Sequence, residues 1–267
     1  MAGEEARVGG EIPAGARGEC RCPPRGYRLV TAGASPGVPT SRVAAQESLA
    51  VEVRQIVTSV HGTYLLEVPP SPAGCLVGFH GYGENAERHL AELRRIPGAA
   101  GWALCAVQAL HPFYNRQGEV IASWMTRFNR EQAIADNIAF VGGVVAEVRR
   151  ELPPETCLVY LGFSQGAAMA YRAAAACGHT CQGVIVLGGD LPPEIAERDL
   201  PGFPPVLLGR GSSEEWYDAV KMEHDVELLR AKGVDIHPLI FDGGHEWTDE
   251  FRAAAARFLL DIRRPAS

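Results

Sequence analysis

Residues 157–176 read CLVYLGFSQGAAMAYRAAAA, and this stretch decides the fold. The run 157–163 is short, apolar and unbroken, which suits a strand covered on both faces. The run 167–176 is rich in alanine, the strongest helix former. Between them lies Gly162-Phe163-Ser164-Gln165-Gly166, a G-x-S-x-G turn joining strand to helix. That is the setting of a nucleophile elbow, which exposes a serine at the tip of a sharp, strained turn. The turn is too tight for side chains at the two glycine positions. The helix behind it points the positive end of its dipole at the hydroxyl. The chain holds 30 glycines and ten serines in 267 residues, so chance matches to the pattern number roughly 0.1, fewer still in a strand–turn–helix context. A purely structural Gly-rich turn is the minority reading.

Similar apolar runs recur at 75–79, 103–107, 183–187 and 206–208. A last run, 234–241, contains Pro238, which suits an edge strand. Before them, 51–54 alternates and 62–67 follows a His61-Gly62 turn, so the two are expected to open the sheet as an antiparallel pair. Helical spacing separates the strands. Ile134, Ile138, Val141, Val145 and Val148 step by four and three, as do Met222, Val226 and Leu229; Phe251, Phe258, Leu259 and Ile262 mark a closing helix. The expected class is α/β: a mostly parallel sheet of about eight strands flanked by helices, in one domain spanning 48–267. Residues 1–47 are expected to be a flexible tail, because the first 40 hold eight Gly, five Pro and a single aromatic, Tyr27.

Composition narrows the function. Net charge is −7, from 25 basic and 32 acidic residues, which argues against nucleic acid as a partner. No apolar run approaches the roughly 18 residues of a membrane span, so no integral membrane association is expected. Seven cysteines, Cys20, Cys22, Cys75, Cys105, Cys157, Cys177 and Cys181, are an odd number without framework spacing. They read as free thiols of a cytoplasmic protein, and the first ten residues lack the apolar centre of a signal peptide. Oligomeric state is not legible.

A serine hydroxyl is a weak nucleophile and needs a base, and in this architecture the chain order is Ser, acid, His. Of the eight histidines, His224, His237 and His245 follow the region where the acid is expected. His224 lies in a polar helical stretch and His237 within the last strand run. His245, in Gly243-Gly244-His245-Glu246, sits where the base belongs, between that strand and the closing helix. His245-Glu246-x-x-Asp249 lacks the second histidine of a zincin helix, so no metal is expected. For the acid, Glu214 and Glu215 follow the 206–208 strand and Asp190 follows the preceding one; all three remain open at this point. His80-Gly81-Tyr82-Gly83 follows the 75–79 strand. A dinucleotide fingerprint would need an acid near the end of the next strand, and 101–111 has none. An oxyanion-hole loop needs none, and the Tyr82 and Gln165 amides are the expected donors.

These pieces resemble the phospholipase/carboxylesterase group of the α/β-hydrolase superfamily, which includes acyl-protein thioesterases. The resemblance rests on His80-Gly81-Tyr82-Gly83, the Phe-Ser-Gln elbow, Gly211-x-x-Glu214 and Gly244-His245-Glu246, and covers about 51–263. It implies a domain with no large lid, hydrolysing carboxylic esters, thioesters or lysophospholipids with no cofactor. It implies Ser164, His245 and Glu214 as the catalytic residues, although the family acid is usually Asp. It also makes 113–126 resemble a substrate loop, so Phe113, Tyr114, Trp124 and Met125 are expected to line an acyl pocket. The expected function is a serine carboxylesterase for short to medium acyl chains. The alternatives are a thioesterase or lysophospholipase of the same fold, or an inactive binding module.

Overall fold

The computed structural model describes residues 52–263. The chain divides into two units, Met1–Ile56 and Val57–Ser267. In the first, the described residues 52–56 form neither helix nor strand, and Arg54 pairs with Glu52 at 2.6 Å. The expected tail, 1–47, with Cys20 and Cys22, lies outside the described residues.

The second unit is built on a seven-stranded sheet. Its strands are β1 (Tyr64–Glu67), β2 (Cys75–Phe79), β3 (Ala103–Val107), β6 (Leu158–Phe163), β7 (Gly183–Leu187), β8 (Val206–Gly211) and β9 (Ile236–Phe241). The order is β1-β3-β2-β6-β7-β8-β9, with β1 antiparallel to β3 and the rest parallel. A separate antiparallel hairpin joins β4 (His111–Tyr114) to β5 (Val120–Ser123). The helices are α1 (Ala86–Arg94), α2 (Arg130–Arg150), α3 (Gln165–Ala176), the short α4 (Pro193–Ala196), α5 (Ala219–Ala231) and α6 (Asp249–Asp261).

Side chains of a strand alternate between faces, and here both faces are covered. Leu158 and Tyr160 of β6 join the core under α2, α3 and α5, whereas Val159, Leu161 and Phe163 join the core under α1 and α6. That double coverage is why the strands read as unbroken apolar runs. β9 keeps its edge position, with Pro238 opposite Leu208 of β8.

The strand expected at 51–54, half of the opening pair with 62–67, is not seen among the described residues 52–54. Residues 52–63 carry no strand, and Val53, Ile56, Val57 and Val60 are 66–97% exposed. β1 instead pairs with β3, Tyr64 opposite Val107 and Glu67 opposite Leu104. The open edge of β3 offers a full ladder and a half-buried face, which an isolated two-residue turn with solvated valines does not. The count of about eight strands becomes seven in the main sheet plus the hairpin. The hairpin and α1 have no counterpart in the sequence reading. α1 is mostly polar outside Ala86, Leu90 and Leu93, and is defined at its start by Asn85, whose side chain accepts from Arg88 N at 3.0 Å.

One buried group in α1 makes stability depend on pH. His89 is sealed between β2 and the ring of Trp247, at 5.8 Å, and neither ring nitrogen has a partner among the described residues. Burial, with a smaller contribution from nearby His80, pushes the imidazole down to about 3 from its ordinary 6.5. The unfolded chain therefore takes up a proton below about 6.5 that the folded chain refuses until about 3. Stability is full above 6.5 and falls steadily across that window. His89→Leu is expected to flatten the decline of Tm between pH 6.5 and 4, read by thermal melts at several pH values; an unchanged slope would refute this.

Candidate active site

Ser164 stands at the junction of β6 and α3 with φ 54° and ψ −120°. A non-glycine residue in that conformation costs of order 1–3 kcal/mol and is held by its surroundings. Ser164 N donates to Leu187 O at 2.8 Å, which ties the turn to β7. The flanking glycines allow the approach: a Cβ at Gly162 would lie 2.1 Å from Gly166 O, and one at Gly166 would lie 2.0 Å from Phe79 O. Serine before a helix usually caps it with its own oxygen. Here the turned backbone prevents this, and α3 has no side-chain cap. The hydroxyl donates instead to His245 Nε2 at 2.8 Å.

His245 occupies the loop between β9 and α6, with its ring against Phe163 at 4.9 Å. Its Nδ1 lies 2.5 Å from Glu214 Oε2. An ionised carboxylate only accepts, so Nδ1 carries the hydrogen and Nε2 is left to accept from the serine. Glu214 follows β8 and is almost wholly buried. Its second oxygen accepts from Trp216 N at 2.8 Å and Tyr217 N at 3.3 Å, so neither oxygen is left unpaired away from water. Tyr217 is anchored in turn, its hydroxyl donating to Asp225 Oδ2 at 3.0 Å. Asp225 also accepts from Leu191 N at 2.9 Å, and burial raises its carboxyl above the usual range.

The other candidate acids and bases lie apart from this chain of bonds. Glu215 is exposed, and Asp190 is exposed with Lys221 Nζ at 3.8 Å. His224 is exposed on α5, and His237 on β9 lies 3.2 Å from Asp235. Among the described residues, no three His, Cys, Asp or Glu side chains converge as metal ligands.

The Gly81–Tyr82 loop runs past the serine: a Cβ at Gly81 would lie 3.3 Å from Ser164 Cβ. The backbone N–H groups of Tyr82 and Gln165 donate to no described residue. Gln165 is fixed through its side chain, which accepts from Trp124 N at 2.8 Å and donates to Met125 O at 2.9 Å. His80, buried, donates from Nδ1 to Gly81 O at 2.7 Å and accepts from Ala109 N at Nε2, 3.1 Å. Burial lowers its imidazole, in keeping with a neutral supporting role.

The pocket expectation divides. Phe113 and Tyr114 lie on the exposed hairpin, with Phe113 against the Tyr82 ring at 5.7 Å. Trp124 is a correction: it is fully buried, its ring packs on Phe79 at 5.5 Å, and its Nε1 donates to His80 O. It supports the loop from beneath and offers no surface to a substrate. Met125 is half-buried, its sulfur 3.8 Å from buried Arg172. Three further residues contribute, of which Gly188 and Glu84 had no role in the sequence reading. Tyr217 holds Glu214 through its amide. Gly188, at φ 62°, backs the imidazole so closely that a Cβ would lie 3.1 Å from Nδ1. Glu84 accepts from Gly81 N at 2.7 Å. Contacts of this kind depend on tertiary neighbours and leave no local sequence pattern.

A sequence model described as Phospholipase/Carboxylesterase matches residues 70–261. The chain belongs to the phospholipase/carboxylesterase family. The family match takes in every residue of the hydrogen-bonded chain and the whole sheet except β1. No curated protein matches the sequence significantly. Among solved structures, esterase PE8 is 23% identical with a TM-score of 0.60, covering 75% of this chain and 98% of its own. A carboxylesterase from Mesorhizobium loti is 21% identical with a TM-score of 0.61, covering 76% and 97%. Acyl-protein thioesterase 2 of Zea mays is 18% identical with a TM-score of 0.60, covering 76% and 100%. These likenesses show the α/β-hydrolase fold, and among the described residues no large lid domain accompanies it.

The burial and pairing of Glu214, against the solvation of its rivals, yield a direct test. Glu214→Gln is expected to lower kcat by about 10⁴, the usual cost of losing a triad acid. Glu215→Gln and Asp190→Asn are expected to leave turnover on a p-nitrophenyl ester nearly unchanged. Near-normal turnover in Glu214→Gln would remove it from the chemistry.

Proposed function

We propose that this family member is a serine carboxylesterase that hydrolyses carboxylic esters of short to medium acyl chains through an acyl-enzyme on Ser164. The observation that carries the reading is the continuous chain Ser164 Oγ–His245 Nε2, 2.8 Å, and His245 Nδ1–Glu214 Oε2, 2.5 Å. The hydroxyl attacks the ester carbonyl while His245 takes its proton at Nε2. Glu214 holds the ring in the required tautomer and stabilises the imidazolium. The Tyr82 and Gln165 amides receive the oxyanion, with the helix dipole of α3 adding to their field. The imidazolium then gives its proton to the departing alcohol. Water, activated by the same base, releases the acid and restores the serine.

Tyr82, Phe113 and Tyr114 offer exposed aromatic surface beside the elbow loop, and this favours an apolar acyl group. The residues in these roles need no cofactor. Thioesters and lysophospholipids remain within reach of the same chemistry, because the leaving group enters only at the protonation step. The five described cysteines are free and buried or half-buried, which fits work in a reducing compartment.

Ser164→Ala is expected to cost on the order of 10⁶ in kcat without loss of fold. A fluorophosphonate should label wild-type protein at Ser164 alone, located by peptide mass spectrometry. A chain-length series of p-nitrophenyl esters, run beside an acyl-CoA and a lysophospholipid, should favour the shorter esters. Residual turnover in Ser164→Ala, or labelling at a cysteine, would overturn the mechanism; preference for the acyl-CoA would redirect the substrate class.

A further inference from the structure

We propose that Glu84 is a positioning residue of the proposed esterase, clamping the Gly81–Tyr82 loop so that the Tyr82 amide joins that of Gln165 in facing the developing oxyanion. The inference rests on the Ser164 reading and adds a residue to it. Glu84 Oε2 accepts from Gly81 N at 2.7 Å, across a turn that Glu84 N closes onto Gly81 O at 3.3 Å. Gly81 is therefore held at both its donor and its acceptor by one residue. The same turn is stitched to the hairpin, since Ala122 N donates to Glu84 O at 2.8 Å and Gly83 N to Ala122 O at 3.0 Å. From behind, His80 Nδ1 donates to Gly81 O.

The side chain also sits against the chemistry. A Cβ at Gly81 would meet Glu84 Oε2 at 3.0 Å, Phe163 at 3.2 Å and Ser164 Cβ at 3.3 Å, so the carboxylate, the loop and the nucleophile are packed together. Of the two successive amides of this loop, Gly81 N–H is engaged by Glu84, while Tyr82 N–H donates to no described residue. By occupying Gly81 N–H, Glu84 leaves Tyr82 N–H as the donor that is free. Burial raises the Glu84 carboxyl above its ordinary range, aided by Glu92, while the Gly81 N–H, Arg88 and His245 partly offset this by favouring the charged form. What the loop requires is an acceptor oxygen at this place. A fixed negative charge would repel the oxyanion.

The acceptor and the charge separate by mutation. Glu84→Ala is expected to lower kcat on a p-nitrophenyl ester about 10- to 100-fold with KM nearly unchanged, the scale expected when an oxyanion donor is displaced but not deleted. Affinity for a trifluoromethyl ketone, whose adduct places an oxyanion in the same site, should fall by the same factor. Glu84→Gln keeps an acceptor oxygen and should recover most of both losses. Should Glu84→Ala fail to fold, Glu84→Asp, whose shorter arm leaves Gly81 N–H out of reach, carries the same comparison. Unchanged kcat and ketone affinity in the folded variant, or no recovery in Glu84→Gln, would overturn the clamp. Those results with Ser164→Ala inactive would refute the clamp alone; turnover surviving Ser164→Ala would refute the reading beneath it.

Discussion

The site depends on one close approach, that of the first turn of α3 to the end of β2. With no Cβ at Gly166, the helix backbone comes near enough to Phe79 O that a methyl group there would lie 2.0 Å from it. That proximity forces the chain to reverse within Ser164, and the reversal sets its φ of 54°. The serine is thereby prevented from capping its own helix and is offered to His245. The cost of the strained backbone, of order 1–3 kcal/mol, is borne by a sheet buried on both faces, where each large apolar side chain contributes about 1.5–3 kcal/mol. A weaker scaffold would relax the turn and lose the hydroxyl's direction.

A second constraint acts from the far side of the imidazole. A carboxylate as deeply buried as Glu214 is unfavourable unless both oxygens are engaged. One engages His245, and the other receives two backbone amides from the loop that leads into α5. Asp225 on α5 holds that loop through Tyr217, so the acid is placed by a helix that never touches the imidazole.

Much of this was legible in sequence because strong local signals coincided. Continuous apolar runs fix β2, β3, β6, β7 and β8, and the G-x-S-x-G turn fixes the junction of β6 and α3. Glycines around His245 mark its loop. The errors share a cause as well. The alternation at 51–54 is a local pattern, whereas the partner of β1 is β3, some forty residues onward, and only tertiary competition decides between them. Trp124 read as pocket lining because an aromatic near a substrate loop looks available; its indole lies inward, under the loop it supports. The Glu84 carboxylate, the bare Cα of Gly188 and the Tyr217 amide matter only through tertiary neighbours, which no local sequence pattern marks.

The edges of the sheet bear on how this protein keeps company with its own copies. A parallel sheet with a free outer strand is a template for further strands, and long flat edges invite aggregation. β1 closes one side with only four residues. On the other, Pro238 sits mid-strand in β9, which pairs among the described strands only with β8, and deprives the outer ladder of a donor. Among the described strands, neither margin offers a second chain a row of hydrogen-bonding groups that is both long and unbroken. The molecule can thus carry a sheet of almost uninterrupted valine, leucine and isoleucine runs, sequences prone to stacking when bare, with its stickiest surfaces under helices and its open borders short or interrupted.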